Sequence, residues 1–330
     1  MNTLDMLLAS QLAPGVIAPH PILCELLRAH RAVQQIADRG YVEIPCSSVQ
    51  RLFDQARGGF ARLLLEGSRQ ERAAFRIPPR DWKRDEIGEP IEFGLLPERR
   101  GKAKTKLSPL ERVENRRRAD PNKKLLHFHR NLLTHLFERD PLLVSAYSDL
   151  LGACGIFNVA AYNIALALSY EFDAMNAKRT PRKRYPGSLF AQMHLEDTVT
   201  RLLRYAVATG NKFDAGVHRD RGCWTVHAHS SHPGLGVFDQ KGKLVSVNEN
   251  DPNQILLFPG AKFAMVTRHM YGLGLFHGAK DTRRQTAESL VGAIREVAVS
   301  FVHCRLSEVD LQWFYAQSAD PRLNTKSYKL

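Results

Sequence analysis

The residues best suited to chemistry are a histidine and an aspartate separated by one position, His218 and Asp220. In an extended strand, side chains two positions apart point to the same side. An imidazole and a carboxylate would therefore converge on one point, as two ligands of a divalent metal ion do. A third ligand must come from another strand, and His277, in the run GLGLFHGA, is the best-placed candidate. Together these residues predict a metal site.

This ligand set points to a particular metal chemistry. Two histidines and one carboxylate on one face of an ion leave its other positions open, which is typical of non-haem Fe(II) oxygenases. The three-letter motif alone carries little weight, because such patterns arise often by chance and an exposed histidine beside a loop acid gives the same letters. The surrounding sequence must therefore decide between the two interpretations.

Other histidines lie close to this motif in the sequence. His227 and His229 belong to the run HAHSSH, and either they or the residues between them could face the interior of the fold. We interpret them as histidines satisfied by backbone groups, with a place in the substrate pocket or beside the metal ligands as the alternative. His127 and His129 are assigned to the helical half, with the same interpretation.

The ligands need strands to position them, and the second half of the chain provides these. From about Thr198, short strand-like runs, including NQILLFPGAKFAMVT, alternate with Gly, Asn and Asp turn signals. Such spacing is typical of a β-sandwich or barrel. Earlier segments show helical periodicity instead, notably from Val49 to Leu65 and from Leu125 to Asp173. The sequence thus predicts a mixed α and β protein.

Length and composition are those of a folded, non-membrane protein. The chain has 330 residues, of which 44% are hydrophobic and 25% charged, which excludes wholesale disorder and a polytopic membrane protein. The uncharged stretch from Leu150 to Tyr170 contains Asn158 and Asn163 and is interpreted as a buried helix rather than a membrane span. The N-terminus lacks the early basic residues of a secretory signal. Scattered cysteines without a CxxC pair argue against a disulfide framework, and we expect a cytoplasmic protein.

Positive charge is concentrated in one segment. The formal net charge is +13, and residues 99–124 carry eleven basic residues against three acidic ones. We interpret this segment as an exposed insertion, either merely solvated or binding an anion. An aromatic-interleaved basic stripe or a known nucleic-acid motif is missing from the sequence, so a nucleic-acid partner is not expected.

Several segments between Arg201 and Cys304 follow one another in an order that carries a family resemblance. They are RLLRYAV, VHRDRGCWTVHAH, GLGVFDQKGKLVSV, ILLFPGAKFAMVT, FHGA and AIREVAVSFV. The second is similar to a family segment AHTDxGxLTLL, with His218, Asp220, Gly222 and Thr225 in register. In this order they resemble the C-terminal half of the isopenicillin N synthase-like family of Fe(II)/2-oxoglutarate-dependent oxygenases. RGYVEIP, before a long helix, is similar to the opening of that family.

The resemblance implies a fold and a division of the chain. The fold is a distorted double-stranded β-helix (jelly roll) core with a helical N-terminal half. Residues 1–197 would form the supporting region, with the basic insertion near 99–124. The oxygenase core would occupy residues 198–305, and residues 306–330 would form a C-terminal extension.

The resemblance also implies the site residues. His218, Asp220 and His277 would be the catalytic metal ligands that hold Fe(II). Arg295 would bind the distal carboxylate of the cosubstrate 2-oxoglutarate, with a hydrogen bond from Tyr205, and O2 would be the oxidant. An arginine suits this role because its planar guanidinium can bind a carboxylate through two hydrogen bonds.

The chain departs from the family pattern around the cosubstrate arginine. Val297 replaces the usual serine two residues after Arg295, and the gap from His277 to Arg295 is longer than usual. Arg283 or Arg284 is therefore an alternative partner for the 2-oxoglutarate carboxylate.

These implications predict an Fe(II)/2-oxoglutarate-dependent dioxygenase that oxidises a small molecule, most simply by hydroxylation, with release of succinate and CO2. Its substrate is unidentified, and the positive charge favours an anionic one. The alternatives are an Fe(II) oxidase of the same fold that does not use 2-oxoglutarate, and a non-catalytic basic binding protein. The oligomeric state cannot be inferred from the sequence.

Overall fold

A computed structural model describes residues 19–46, 49–88, 90–96, 123–206, 215–232, 234–238, 244–247, 251–272, 274–279 and 294–318. The helices of these ranges are α1 (Pro21–Ala29), α2 (Ala32–Arg39), α3 (Val49–Leu65), α4 (Arg69–Ala74), α5 (Arg130–Arg139), α6 (Pro141–Ala146), α7 (Ser148–Ala177), α8 (Ala261–Val266) and α9 (Glu308–Ser318). The strands are β1 (Val42–Pro45), β2 (Lys83–Arg84), β3 (Pro90–Ile91), β4 (Gly94–Leu95), β5 (Lys124–Phe128), β6 (Val199–Ala206), β7 (Ala215–His218), β8 (Trp224–Ser230), β9 (Leu235–Phe238), β10 (Leu244–Ser246), β11 (Gln254–Pro259), β12 (His277–Ala279) and β13 (Ile294–Val302).

Two antiparallel sheets form the β-rich part of the protein. The larger has the strand order β1-β11-β8-β13-β6-β5-β4, and the smaller has the order β10-β9-β12-β7. A hydrophobic cluster that includes Val237, Leu256, Phe258 and Leu275 joins residues of both sheets and lies between them. The predicted mixed α and β class is confirmed, and two facing sheets are consistent with the predicted jelly roll.

The other face of the larger sheet is covered by helices. Helix α7 packs against β6, β8 and β13, and α3 packs against α7. Trp224 of β8 points towards α7, where its indole N–H donates a 2.8 Å hydrogen bond to the Ser169 hydroxyl, and its ring packs on Phe172. Helix α7 is long and apolar enough to cross a membrane, but most of it is buried within the protein. The prediction of a buried helix for this stretch is therefore confirmed.

Two elements differ from the sequence-based prediction. The helical region expected from Leu125 begins instead with β5, which pairs with β4 and β6, so His127 lies in a sheet and not in a helix. The expected strand NQILLFPGAKFAMVT is divided: β11 ends at Pro259 and α8 follows. Packing explains the second difference, because the helical turn places Phe263 against Trp224, with ring centroids 4.7 Å apart.

The larger sheet continues across the expected boundary between residues 197 and 198. Strands β1, β4 and β5 precede this boundary, yet they belong to the same sheet as β6, β8, β11 and β13. The proposed division into three regions stays a prediction. Residues 99–122 of the basic segment, together with Arg283 and Arg284, lie outside the described residues.

Candidate metal centre

The smaller sheet brings the two predicted histidine ligands side by side. His218 ends β7 and His277 begins β12, and the two are directly paired residues in the antiparallel register. Their ring centroids are 4.5 Å apart. Asp220 follows just after β7, with its Oδ1 atom 3.6 Å from His218 Nε2 and its Oδ2 atom 3.5 Å from His277 Nε2. One candidate ligand atom from each residue lies within 4.8 Å of the others, so the three predicted ligands converge.

Backbone hydrogen bonds fix the turn that carries Asp220. The amide of Ala261 donates to the carbonyl of Asp220 (2.8 Å), and that of Gly260 donates to the carbonyl of Cys223 (2.8 Å). These donors lie where α8 begins, and helix N-termini have amides without partners inside the helix. A Cβ atom on Gly260 would lie 2.2 Å from the carbonyl oxygen of Gly222. Glycine at residue 260 therefore permits the close contact between α8 and the Asp220 turn.

The Asp220 carboxylate is oriented and kept ionised by its neighbours. The Thr225 hydroxyl donates a 2.6 Å hydrogen bond to Oδ2. Burial by itself would raise the pKa of Asp220, but His277, His218 and the Thr225 hydrogen bond outweigh it and hold this pKa well below its usual range. At neutral pH the site therefore presents a negative charge to a cation.

His277 presents its Nε2 lone pair to the same point. Its Nδ1 lies 3.2 Å from the carbonyl oxygen of Leu275, which can only accept, so Nδ1 carries the proton. Burial lowers the pKa of His277 to about 4, and the imidazole is neutral at physiological pH, as metal binding requires. The Phe258 ring packs 4.8 Å from the imidazole and shields it from water.

The site opens towards solvent at His218. The His218 side chain is 46% exposed, whereas that of Asp220 is 6% exposed, and His277 is buried. Two imidazole nitrogens and one carboxylate suit Fe(II) and similar first-row ions. The donor set and its one-sided opening therefore fit a metal ion with positions left for other ligands.

The predicted cosubstrate residues lie together on the larger sheet. Arg295 of β13 and Tyr205 of β6 are paired across the sheet, and the Arg295 guanidinium donates a hydrogen bond to the Tyr205 hydroxyl. Its Nε atom donates to the carbonyl of His232 at 3.1 Å, and Arg295 is 3% exposed. On the same strand, Ala298 and Val302 belong to the helix-facing core. By alternation, Arg295 points to the opposite side, between the two sheets.

A bulge in β8 decides how His227 and His229 are oriented. On β13, Val299 pairs with His227 and Ala298 with His229, so Ala228 is the extra residue. His227 also pairs with Leu256, which belongs to the cluster between the sheets. His229 turns the other way, and its ring lies 4.8 Å from Phe53 of α3. His227 thus faces the interior on the same side as Thr225.

A second arginine, which the sequence analysis did not single out, also faces this interior. Arg201 pairs with Val299, its Nε atom donates a 2.6 Å hydrogen bond to His127 Nε2, and its guanidinium carbon lies 4.4 Å from the centre of the Phe301 ring. Its positive charge also lowers the pKa of His277, although less than burial and His218 do. Arg201, Leu203 and Tyr205 are each two positions apart on β6, so their side chains point to the same side of the sheet. This spacing is the sequence signal that could have indicated the direction of the Arg201 side chain.

No protein-family profile and no curated protein sequence matches the chain. Solved structures do. A Shewanella oneidensis protein classed as an oxygenase superposes with a TM-score of 0.57 and 17% identity, covering 88% of this chain and 94% of the other. A full-length Neurospora crassa protein, in complex with alpha-KG and thymine, superposes with a TM-score of 0.56 and 15% identity, covering 87% of this chain and 86% of the other. JOX2, in complex with 2OG, Fe and JA, superposes with a TM-score of 0.54 and 13% identity, covering 84% of this chain and 72% of the other.

The chain shares the fold of 2-oxoglutarate/Fe(II) oxygenases. At these identities the likeness concerns the fold alone, and the metal centre above is described from this chain's own residues. The fold expected from the sequence is supported at this level.

Proposed function

We propose that the protein is an Fe(II)- and 2-oxoglutarate-dependent oxygenase of the isopenicillin N synthase-like type, with a jelly-roll core, acting in the cytoplasm. It hydroxylates a small molecule and releases succinate and CO2. The observation that carries the proposal is the convergence of His218, Asp220 and His277 on one point at the open edge of two facing sheets.

The triad would hold the metal, and neighbouring groups orient two of its residues. His218, Asp220 and His277 hold the metal, Thr225 fixes the Asp220 carboxylate, and the Leu275 carbonyl fixes the tautomer of His277. When bound, Fe(II) with 2-oxoglutarate and O2 supplies oxidative decarboxylation coupled to oxidation of a C–H bond. The protein supplies geometry and excludes water from the reacting groups.

Arg295 and Tyr205 form the cosubstrate end of the proposed pocket. A buried guanidinium in an apolar surround binds a carboxylate strongly, because water does not compete for it. The neighbouring phenol orients the guanidinium and offers a further hydrogen bond. We assign the distal carboxylate of 2-oxoglutarate to this pair.

The substrate is proposed to be a small anion. Arg201 faces the interior from the larger sheet, and its charge acts on His277, so it lies on the metal side of the pocket. Stacking on Phe301 and the hydrogen bond to His127 hold the guanidinium in place. Such an oriented cation favours a substrate carboxylate or another anionic group.

The test is succinate formation from 2-oxoglutarate by the Fe(II)-loaded protein in the presence of O2. We expect slow succinate release without substrate, stimulation by some members of a panel of carboxylates but not by their amides, and loss of both in Asp220→Ala. The variant His30→Ala, which changes a histidine of the helical layer, should behave as the wild type.

The outcomes separate the proposal from its alternatives. Iron-dependent oxygen consumption without succinate would favour an oxidase that does not use 2-oxoglutarate. Absence of any iron-dependent reaction, together with salt-sensitive binding of polyanions, would favour a basic binding protein. Stimulation by amides as strong as by carboxylates would contradict the anionic substrate.

A further inference from the structure

His227 is a buried histidine to which the roles proposed above, metal binding by the triad and carboxylate binding by Arg295, assign no part. It is 5% exposed, and its partners across the sheet are Val299 and Leu256. Along β8 it follows Thr225 by two positions, and Thr225 binds the Asp220 carboxylate. The Ala228 bulge leaves His227 inside the fold while turning its neighbour His229 towards α3. A buried imidazole therefore stands next to the metal centre on the inner face of the larger sheet.

The imidazole lies between the two ends of the proposed cosubstrate pocket. Val299, its partner on β13, is four residues beyond Arg295 on the same face of that strand. Of the charged groups acting on His227, Arg295 is the strongest, and His277 and Asp220 also contribute. His227 is thus within electrostatic reach of both the guanidinium and the triad. A molecule that extends from the metal to Arg295 must pass beside it.

His227 presents a hydrogen-bond donor without adding a charge. Burial, reinforced by Arg295, lowers the pKa of His227 to about 3, so the ring is neutral at physiological pH. A neutral imidazole carries one N–H donor. Hydrogen bonds to an anionic oxygen are stronger than those between neutral groups. A site with such a donor also discriminates against ligands that lack an acceptor, because its buried polar group would then lose its partner.

Building on the proposed function, we propose that His227 is a further cosubstrate-binding residue: its imidazole N–H donates a hydrogen bond to the distal carboxylate that Arg295 and Tyr205 hold. The three side chains then form a polar cradle on the inner face of the larger sheet. The cradle selects a dicarboxylic 2-oxo acid over a 2-oxo acid with an apolar tail. The neighbouring His229, directed at Phe53, has no part in it.

The experiment compares two 2-oxo acids without catalysis. The Fe(II)-loaded protein is titrated anaerobically with 2-oxoglutarate and with 4-methyl-2-oxopentanoate, and the visible charge-transfer band of the iron–keto-acid chelate reports binding. The variants are His227→Leu, which removes the donor, and His227→Gln, which keeps an N–H. His229→Leu is the matched control, since it removes a histidine two residues away on the opposite face.

We expect His227→Leu to weaken 2-oxoglutarate binding about tenfold to a hundredfold, as for one hydrogen bond to a charged group. Binding of 4-methyl-2-oxopentanoate should be unchanged or tighter. His227→Gln should recover most of the 2-oxoglutarate affinity, and His229→Leu should leave it unchanged. If His227→Leu fails to fold, His227→Met, with a flexible apolar side chain, replaces it.

The possible failures are distinguishable. If His227→Leu binds 2-oxoglutarate with wild-type affinity, or loses affinity equally for both acids, the role of His227 is overturned while the proposed function stands. A wild-type protein that binds Fe(II) but gives no band with either acid would overturn the proposed function and this inference with it.

Discussion

Asp220 is the residue on which the candidate metal centre depends most, because it lies close to both histidines and is itself held by Thr225. Its Oδ atoms lie 3.6 Å from His218 Nε2 and 3.5 Å from His277 Nε2. Its depressed pKa keeps the carboxylate charged in a buried position. Removing a group that orients a metal ligand typically lowers metal affinity about tenfold to a hundredfold.

The Thr225 hydroxyl is expected to act through Asp220. Thr225→Val removes the 2.6 Å hydrogen bond to the carboxylate with little change in shape. We expect Fe(II) affinity, measured by anaerobic titration, to fall about tenfold. Thr200→Val is the matched control, because it removes a buried hydroxyl paired with Ser300 at 2.8 Å on the same sheet. The control substitution should lower the free energy of unfolding by about 1 kcal/mol and leave Fe(II) affinity unchanged. Equal Fe(II) affinities in the two variants would contradict the role of Thr225.

Some residues of the site can be predicted from the sequence, and others cannot. The His218–Asp220 spacing and the run around His277 predict the triad, although Asp220 lies on a turn just after β7 and not on the strand itself. Alternation fails for His227 and His229, because the Ala228 bulge reverses the face of one of them. A bulge depends on pairing with a distant strand, and local sequence does not reveal it. Arg201 is not recognisable from the sequence alone, because the direction of its side chain depends on which face of β6 meets the candidate metal centre.

At the scale of elements, the contact between α3 and α7 positions the sheet that carries Arg295 and His227. A Cβ atom on Gly59 would lie 2.6 Å from Leu150 Cβ, whereas one on Gly58 would meet nothing within 4 Å. The glycine at residue 59 therefore permits the two helices to approach closely. Gly58, next to it on the exposed side of α3, is tolerated rather than required.

These adjacent glycines provide an internal comparison. Gly59→Ala should lower the free energy of unfolding by about 1–3 kcal/mol, since the added methyl group overpacks the helix contact. Gly58→Ala should raise it by about 0.5–1 kcal/mol, because alanine is favoured in an exposed helix interior. Urea denaturation of both variants measures the difference. Destabilisation by Gly58→Ala, or no effect of Gly59→Ala, would contradict the close packing of α3 on α7.

Whole elements are predicted well where local pattern and tertiary packing agree. The periodicity from Val49 to Leu65 matches α3. The helix predicted at β5 is wrong because the apolar residues of this strand precede a true helix without a strong turn signal, and its pairing partners include β6, which is distant in sequence. The strand predicted at α8 is wrong because the six residues of this helix are too few to show helical periodicity.

The whole molecule combines a helical support with two facing sheets, and the candidate metal centre lies where the smaller sheet meets the Asp220 turn. The larger sheet draws strands from both sides of residue 198, so the helical support and the β-rich core share one sheet. The positive net charge of +13 suits the anionic cosubstrate and substrate that we propose. Similarity in fold to the Neurospora crassa protein and to JOX2 agrees with this arrangement, but the chemistry rests on the triad.

We expect the triad to bind Fe(II) and the bound iron to chelate 2-oxoglutarate. The most direct measurement adds Fe(II) and then 2-oxoglutarate to the metal-free protein under anaerobic conditions and follows the visible charge-transfer band. We predict a saturable band in the wild type and in His30→Ala, and its loss in His218→Ala. Iron binding without a band would contradict a role for 2-oxoglutarate, and an unchanged band in His218→Ala would contradict the metal centre itself.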